Sequence, residues 1–230
     1  RCKTGRWEVV VGVSGTVASP GAKRSVVAAW RLSPLCRAFP LARRSRWHRV
    51  LGMSTRTSSA ATPLVLHYTV RACPLGQVLV AATPQGIAAV LLGDDKTQLI
   101  GDLQQRYPQA QLDTGGPVLH RWSDTVLEIL AHPSLQHVVP LDVVVGTDFQ
   151  RKVWKALRGI PAGQTRTYTE LAKAMGQPQA VRAVASACAA NPLAVLVPCH
   201  RVLRSDGGWG GYRWGIARKQ QLLQQEGAIA

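Results

Sequence analysis

The chain has 230 residues, 28 of them Lys or Arg against 12 Asp or Glu, for a formal charge of +16. That length buries one substantial core or two small ones. No apolar run approaches the roughly 20 residues that span a bilayer, and Val9 to Val13 is too short for a signal-peptide core. A soluble, cytoplasmic protein with an acidic partner is expected.

Charge is spread unevenly. Residues 1–52 carry eleven basic residues and one acid, residues 53–141 five and six, and residues 142–230 twelve and five. A basic C-terminal part beside a neutral middle is the footprint of a phosphate-backbone binder. The five cysteines, Cys2, Cys36, Cys73, Cys188 and Cys199, form neither a C-x-x-C pair nor a zinc-spaced cluster. Neither a disulfide framework nor a metal site is expected.

Residues 1–62 are expected to be disordered or extraneous, because the first 52 hold no sustained helical or strand periodicity. Three origins fit: sequence upstream of a true start at Met53, a basic disordered arm, or an Arg-rich transit peptide. Met53 followed by Ser/Thr-rich residues favours the first.

A small α/β domain is expected over 63–145. Strands are read from Val65 through Val70, over Gln77–Ala82 and over Ile87–Leu92, the last two joined by the Thr83-Pro84-Gln85-Gly86 turn. Helices follow over Lys96–Tyr107 and Pro117–Ala131, then a strand over Leu141–Val145. A mostly helical domain is expected over 146–230. Thr147 begins a helix to Arg158, with Phe149, Val153, Trp154 and Leu157 on one face. Thr167 and Glu170 form a capping box for a helix ending at Gly176. A second helix, Gln179–Ala190, stops at Asn191-Pro192. The pair reads as a helix-turn-helix. Its second helix is nearly smooth with small residues around Arg182, while Cys188 on it reads as packing.

Leu193–Val197 reads as a buried strand that delivers the chain into Pro198-Cys199-His200-Arg201-Val202. A thiol beside an imidazole is a nucleophile candidate. Gly207, Gly208, Gly210 and Gly211 are not followed by Lys-Ser/Thr and so form no P-loop. They read as a flexible lid.

These residues, together with Val181-Arg182-Ala183-Val184, Asn191-Pro192, Gly211-Tyr212-Arg213-Trp214-Gly215 and Glu226, resemble the methylated-DNA-protein-cysteine methyltransferases, also called O6-alkylguanine-DNA alkyltransferases. The likeness covers about Val65 to Gly227 and is densest from Gly146. It implies a ribonuclease-H-like α/β domain followed by a winged-helix-like, helix-turn-helix alkyltransferase domain. The implied activity is a single, irreversible transfer of a methyl or larger alkyl group from O6-methylguanine, with O4-methylthymine a second candidate lesion. The implied partner is double-stranded DNA containing O6-alkylguanine, engaged by a monomer without metal or cofactor.

By the same resemblance Cys199 is the acceptor, His200 its base through a bridging water, and Glu226 the carboxylate that orients the imidazole. Tyr168 rotates the target phosphate and bonds the everted base, Arg182 fills the vacated stack, and Asn191 ties the helix-turn-helix to the active segment. Arg201, Val202 and Tyr212 are assigned to substrate binding. Arg213 and Trp214 match the Ada-like branch of the family, and this puts bulky alkyl groups in question. The four-cysteine zinc domain of Ada has no counterpart in this sequence, so no activator role is expected.

An elementary estimate limits what thiol activation supplies. A free thiol is a few per cent ionised near neutrality, so full ionisation gains at most roughly 10–30-fold, and lowering the pKa also weakens the nucleophile. A modest downward shift is therefore expected. Two rivals remain, a non-catalytic alkyl-lesion binder and a cysteine hydrolase. The first lacks the acceptor thiol present here, and the second leaves the basic half and smooth helix unexplained.

Overall fold

The computed structural model describes residues 63–133 and 138–229. The expectations for residues 1–62 lie outside the described residues.

Strands β1 (Val65–Cys73), β2 (Gly76–Thr83) and β3 (Gly86–Gly93) form an antiparallel meander. Strand β4 (Gln111–Thr114) returns parallel to β1, so the sheet runs β3-β2-β1-β4. The fold is mixed α/β. Val78 to Ala82 and Ile87 to Leu92 are unbroken apolar runs and wholly buried, the pattern of strands covered on both faces. Helix α1 (Lys96–Arg106) is capped by Asp95, whose carboxylate accepts the Gln98 N–H at 2.8 Å. It packs Leu99 and Leu103 against β2 and β3. Helix α2 (Pro117–Ala131) opens with Pro at its first turn and lays Leu119, Ser123, Val126 and Leu130 against β1 and β2.

The C-terminal helices follow the capping signals. Helix α3 (Asp148–Leu157) starts in a capping box of Thr147 and Gln150, and α4 (Tyr168–Ala174) in one of Thr167 and Glu170. Helix α5 (Val181–Ala189) packs against both. The Trp154 indole N–H donates to the Ala187 carbonyl at 2.8 Å, fastening α3 to α5. Two short strands, β5 (Arg166–Thr167) and β6 (Val202–Leu203), pair in parallel. Helix α6 (Ile216–Gln225) closes the described chain, burying Lys219, Leu222 and Leu223. No helix among the described residues is long and apolar enough to cross a membrane.

Two expected strands are corrected. Leu141–Val145 makes one bridge, Ile87 to Leu141, because Ile87 spends its N–H on Pro140 and its carbonyl on Asp142. Leu193–Val197 bridges Val90 once, through Leu193, and then coils. The Val197 N–H returns to Leu193 O at 3.0 Å, and Val195 sits at φ +57°. Side-chain bonds from Asn191 hold this coil in place of a ladder. Both segments cover β3, an edge strand that would otherwise present open backbone groups. The same bonds, Val90 N–H to Pro192 O and Ala194 N–H to Val90 O, each 2.9 Å, fix the coil to the sheet.

Gly146, just before α3, has φ +96°, and a Cβ there would lie 2.6 Å from the Trp154 ring. Gly146→Ala should therefore destabilise the fold by more than about 1 kcal/mol, seen as a lower midpoint of urea unfolding. An unchanged midpoint would show that the backbone tolerates a side chain there.

Candidate active site

The coil from Asn191 ends at Cys199, which opens a single 3-10 turn, Cys199–Arg201. Asn191 is fully buried. Its Oδ1 accepts the Leu193 N–H at 2.9 Å, and its Nδ2 faces Val197 O at 2.8 Å, Leu193 O at 3.2 Å and Cys199 Sγ at 3.3 Å. One amide thus sets both the path of the coil and the place of the sulfur. Giving the Leu193 N–H an acceptor in this way removes a penalty of about 1–3 kcal/mol.

Behind the sulfur, Glu226 caps the C-terminus of α6 with its carboxylate buried. Its Oε1 lies 2.9 Å from His200 Nε2 and accepts from Arg201 Nη2 at 2.8 Å; its Oε2 accepts from Arg201 Nε at 2.9 Å. Arg201 Nη1 also donates to Ile160 O at 2.5 Å. Burial alone would raise the Glu226 pKa, but the hydrogen bonds from His200 and Arg201 outweigh it and hold the carboxyl below its ordinary value. His200 is pushed the other way: burial lowers its pKa despite Glu226, and Arg201 adds to the lowering. A neutral imidazole bonded to a carboxylate through Nε2 keeps its proton there. Nδ1 is then an acceptor, and it has no protein partner among the described residues.

Burial pushes the Cys199 thiol up to about 11, against a smaller lowering by the Asn191 bond and by the Lys219 ammonium. The expected modest downward shift is therefore corrected: this thiol is neutral at rest, because its surroundings are dry and the nearby imidazole carries no charge. Cys188 is buried on α5 and likewise pushed up by burial, to about 12.

Cys199 borders a cavity of about 710 Å³ that opens between α5, α4 and the loop following β6. Tyr168, Arg182 and Tyr212 line it, as does Arg213. Burial raises the Tyr168 phenol to about 12, so it stays protonated. The Tyr212 hydroxyl is buried without a protein partner among the described residues, and its ring stands edge-on to Trp214 at 5.2 Å.

Arg201 and Val202, assigned to substrate binding by resemblance, are not among the residues lining this cavity. Arg201 is spent on Glu226 and Ile160, and the Val202 carbonyl accepts from Lys219 Nζ at 2.6 Å. Both stand behind the reactive turn as supports. The sequence reading passed over Lys219, whose ammonium is wholly buried and also bonds Trp209 O, tying the glycine loop to β6. Its signal was available, since Lys219, Leu222 and Leu223 are spaced to share one buried helical face. Arg204 was passed over as well, and it lines the cavity.

Residues 148–228 match the model of the 6-O-methylguanine DNA methyltransferase DNA-binding domain. The Mycobacterium tuberculosis OGT structure solved in complex with DNA is 35% identical, with a TM-score of 0.59, over 70% of this chain and 93% of that one. The chain belongs to the O6-methylguanine DNA methyltransferase family. The Mycobacterium tuberculosis O6-methylguanine methyltransferase structure aligns similarly, at 34% identity and TM-score 0.59 over 72% of this chain and 94% of that one. Among curated methyltransferase relatives, the bifunctional transcriptional activator/DNA repair enzyme Ada of Escherichia coli is 49% identical over 163 residues, 71% of this chain and 46% of Ada. A probable methylated-DNA-protein-cysteine methyltransferase of Acanthamoeba polyphaga mimivirus is 57% identical over 81 residues, 35% of this chain and 54% of the relative. The chain thus spans about half the length of these curated relatives.

Asn191→Ala would leave the Leu193 N–H without its acceptor, take the second donor from the Val197 and Leu193 carbonyls, and free the sulfur from its anchor. A loss of about 1–3 kcal/mol is expected in denaturant unfolding. A variant of wild-type stability would show that the coil holds without this amide.

Proposed function

We propose that the chain repairs DNA by transferring an alkyl group from O6 of a damaged guanine to Cys199 Sγ, irreversibly and once per molecule. The observation that carries this reading is the placement of Cys199 at a cavity wall, in the same turn as a neutral His200 that is bonded to the Glu226 carboxylate. The family membership supports the same chemistry. A lesion-binding role without transfer is disfavoured, because nothing in such a role needs the thiol and its proton acceptor.

The substrate is double-stranded DNA carrying O6-alkylguanine, engaged by a monomer. An alkyl carbon on a base edge is out of reach inside the stack, so the nucleotide is everted at a cost of a few kcal/mol, less for a mispaired lesion. Arg182, at the start of the smooth helix α5, enters the gap and offsets part of the unstacking. Tyr168 presents a protonated hydroxyl to the base. In this reading 63–145 is a ribonuclease-H-like scaffold and 146–230 a winged-helix-like DNA-binding and transfer domain.

In the transfer step a Cys199 lone pair attacks the alkyl carbon as the carbon–oxygen bond breaks and its electron pair goes to the guanine. His200 Nδ1 takes the thiol proton through a bridging water, and Glu226 stabilises the imidazolium. With the free thiol near pKa 11, the thiolate fraction at pH 7 is only about 10⁻⁴. The thiolate of so weak an acid is a stronger nucleophile than that of an acidic one, which offsets part of that scarcity. In-line placement supplies the larger share, up to about 7–11 kcal/mol, and donors to the departing oxygen add to it. A thioether is a poor leaving group, so the product persists.

Two outcomes test the reading. Incubation with duplex labelled in the O6-methyl group should place the label on the peptide containing Cys199 and leave Cys199→Ser unlabelled; label elsewhere, or none, defeats it. Arg182→Ala should slow reaction with duplex by at least about tenfold relative to its effect on free O6-methylguanine base. Equal losses on both substrates would remove Arg182 from eversion.

A further inference from the structure

The cavity mouth carries an ion pair that the transfer step does not use. Arg204 follows β6 and lines the cavity together with Asp206. The guanidinium edge holds the Asp206 carboxylate through Nε at 3.0 and 3.2 Å and Nη2 at 2.8 Å. The Gly208 N–H donates to the same carboxylate at 3.0 Å, and the Arg204 N–H closes the turn on Gly208 O at 2.9 Å. Asp206 therefore occupies a small anion cradle made of one guanidinium edge and one backbone N–H, a donor set that also suits two oxygens of a phosphodiester. Gly208 lies close against the pair: a Cβ there would lie 3.0 Å from Asp206 Oδ1 and 3.3 Å from Arg204 Cδ.

The cradle is placed beside the base-binding phenol. A Cβ on Gly210 would lie 3.1 Å from the Tyr168 hydroxyl and 3.4 Å from Arg204 Cγ, so the Arg204 stem and Tyr168 flank one glycine. Both members of the ion pair are more than half exposed, at 61% and 57%. An exposed pair of this kind adds little stability and yields readily to a competing anion. Arg182 and Arg213 line the same opening, and Asp206 is the one acid among its lining residues.

Resting on the proposed transfer to Cys199, we propose that the Arg204–Gly208 cradle is a phosphodiester site for the everted nucleotide, with Asp206 as an internal occupant that the DNA backbone displaces. Arg204 is then a positioning residue: it holds the backbone of the everted nucleotide while Tyr168 meets its base. Displacement leaves Asp206 to water and returns Arg204 a charged partner, so the exchange is close to balanced and selects for DNA in which a phosphate reaches the mouth.

The test compares single-turnover alkylation of Cys199 in the full chain on methylated duplex and on free O6-methylguanine base. Arg204→Ala should slow the duplex reaction by about three- to tenfold more than the base reaction and lower the salt slope of duplex binding by about one. Asp206→Asn should speed the duplex reaction at low substrate, because the internal competitor is weakened. Neutral methylphosphonates are then placed in turn at each linkage flanking the lesion; at one of them wild type and Arg204→Ala should react alike. Equal duplex rates for wild type and Arg204→Ala, or a gap that survives at every neutral linkage, overturn the phosphate site while labelling of Cys199 continues. Failure of wild type to label Cys199 at all would instead overturn the transfer reading.

Discussion

A carboxylate buried against one histidine and one arginine holds this site in register. Glu226 sits at the end of α6, the last described helix, and reaches the turn that carries Cys199, His200 and Arg201. Removing one partner from such a buried pair costs about 3–5 kcal/mol, because the other charge is left unpaired. The end of α6 is thereby joined to the turn that carries the sulfur. Arg201 compensates the carboxylate charge, which leaves His200 free to be neutral and therefore able to accept a proton.

A second set of bonds aligns the same turn from the opposite side. Asn191 joins the end of α5 to the coil before Cys199, and β3 pins that coil through Val90. The sheet thus acts as a fixed backing for the reactive segment. Arg106 of α1 also donates to the Ala190 carbonyl at 3.2 Å, next to Asn191. A displacement of α5 on DNA would be felt at the sulfur through one residue.

Much of this was legible from residue order. Capping boxes at Thr147 and Thr167 located the starts of two helices, because the cap is a local hydrogen-bond exchange that needs no tertiary partner. The apolar runs of β2 and β3 were equally plain. The coil over 193–197 was not, since five apolar residues in a row carry strand propensity and the bonds that bend them come from the side chain of Asn191. Strand β4 is short and polar, so it does not announce itself by periodicity. At the site, the residues gathered by resemblance include His200, Glu226 and Arg201 in one hydrogen-bonded group and Asn191 bonded to the Cys199 sulfur. The bonds of Arg201 to Glu226 and of Lys219 to the Val202 carbonyl join partners distant in sequence, which residue order does not show. The protonation state of Cys199 was also hidden, because it is set by burial rather than by neighbours in the chain.

In the proposed transfer a neutral resting thiol suits a protein that reacts once. An ionised cysteine would be open to alkylating agents and oxidants before any lesion arrived, whereas a thiol that, as proposed, gives up its proton to His200 only in the complex would be spent on substrate. The account therefore turns on where the proton goes, and the direct measurement is a pair of pH profiles. Cys199 ionisation in the free protein, followed by thiolate absorbance, should titrate near pH 11, while the single-turnover rate on methylated duplex should level off well below that pH. A transfer rate that climbs in step with the free-protein thiolate up to its own titration would contradict the assignment of His200 as proton acceptor.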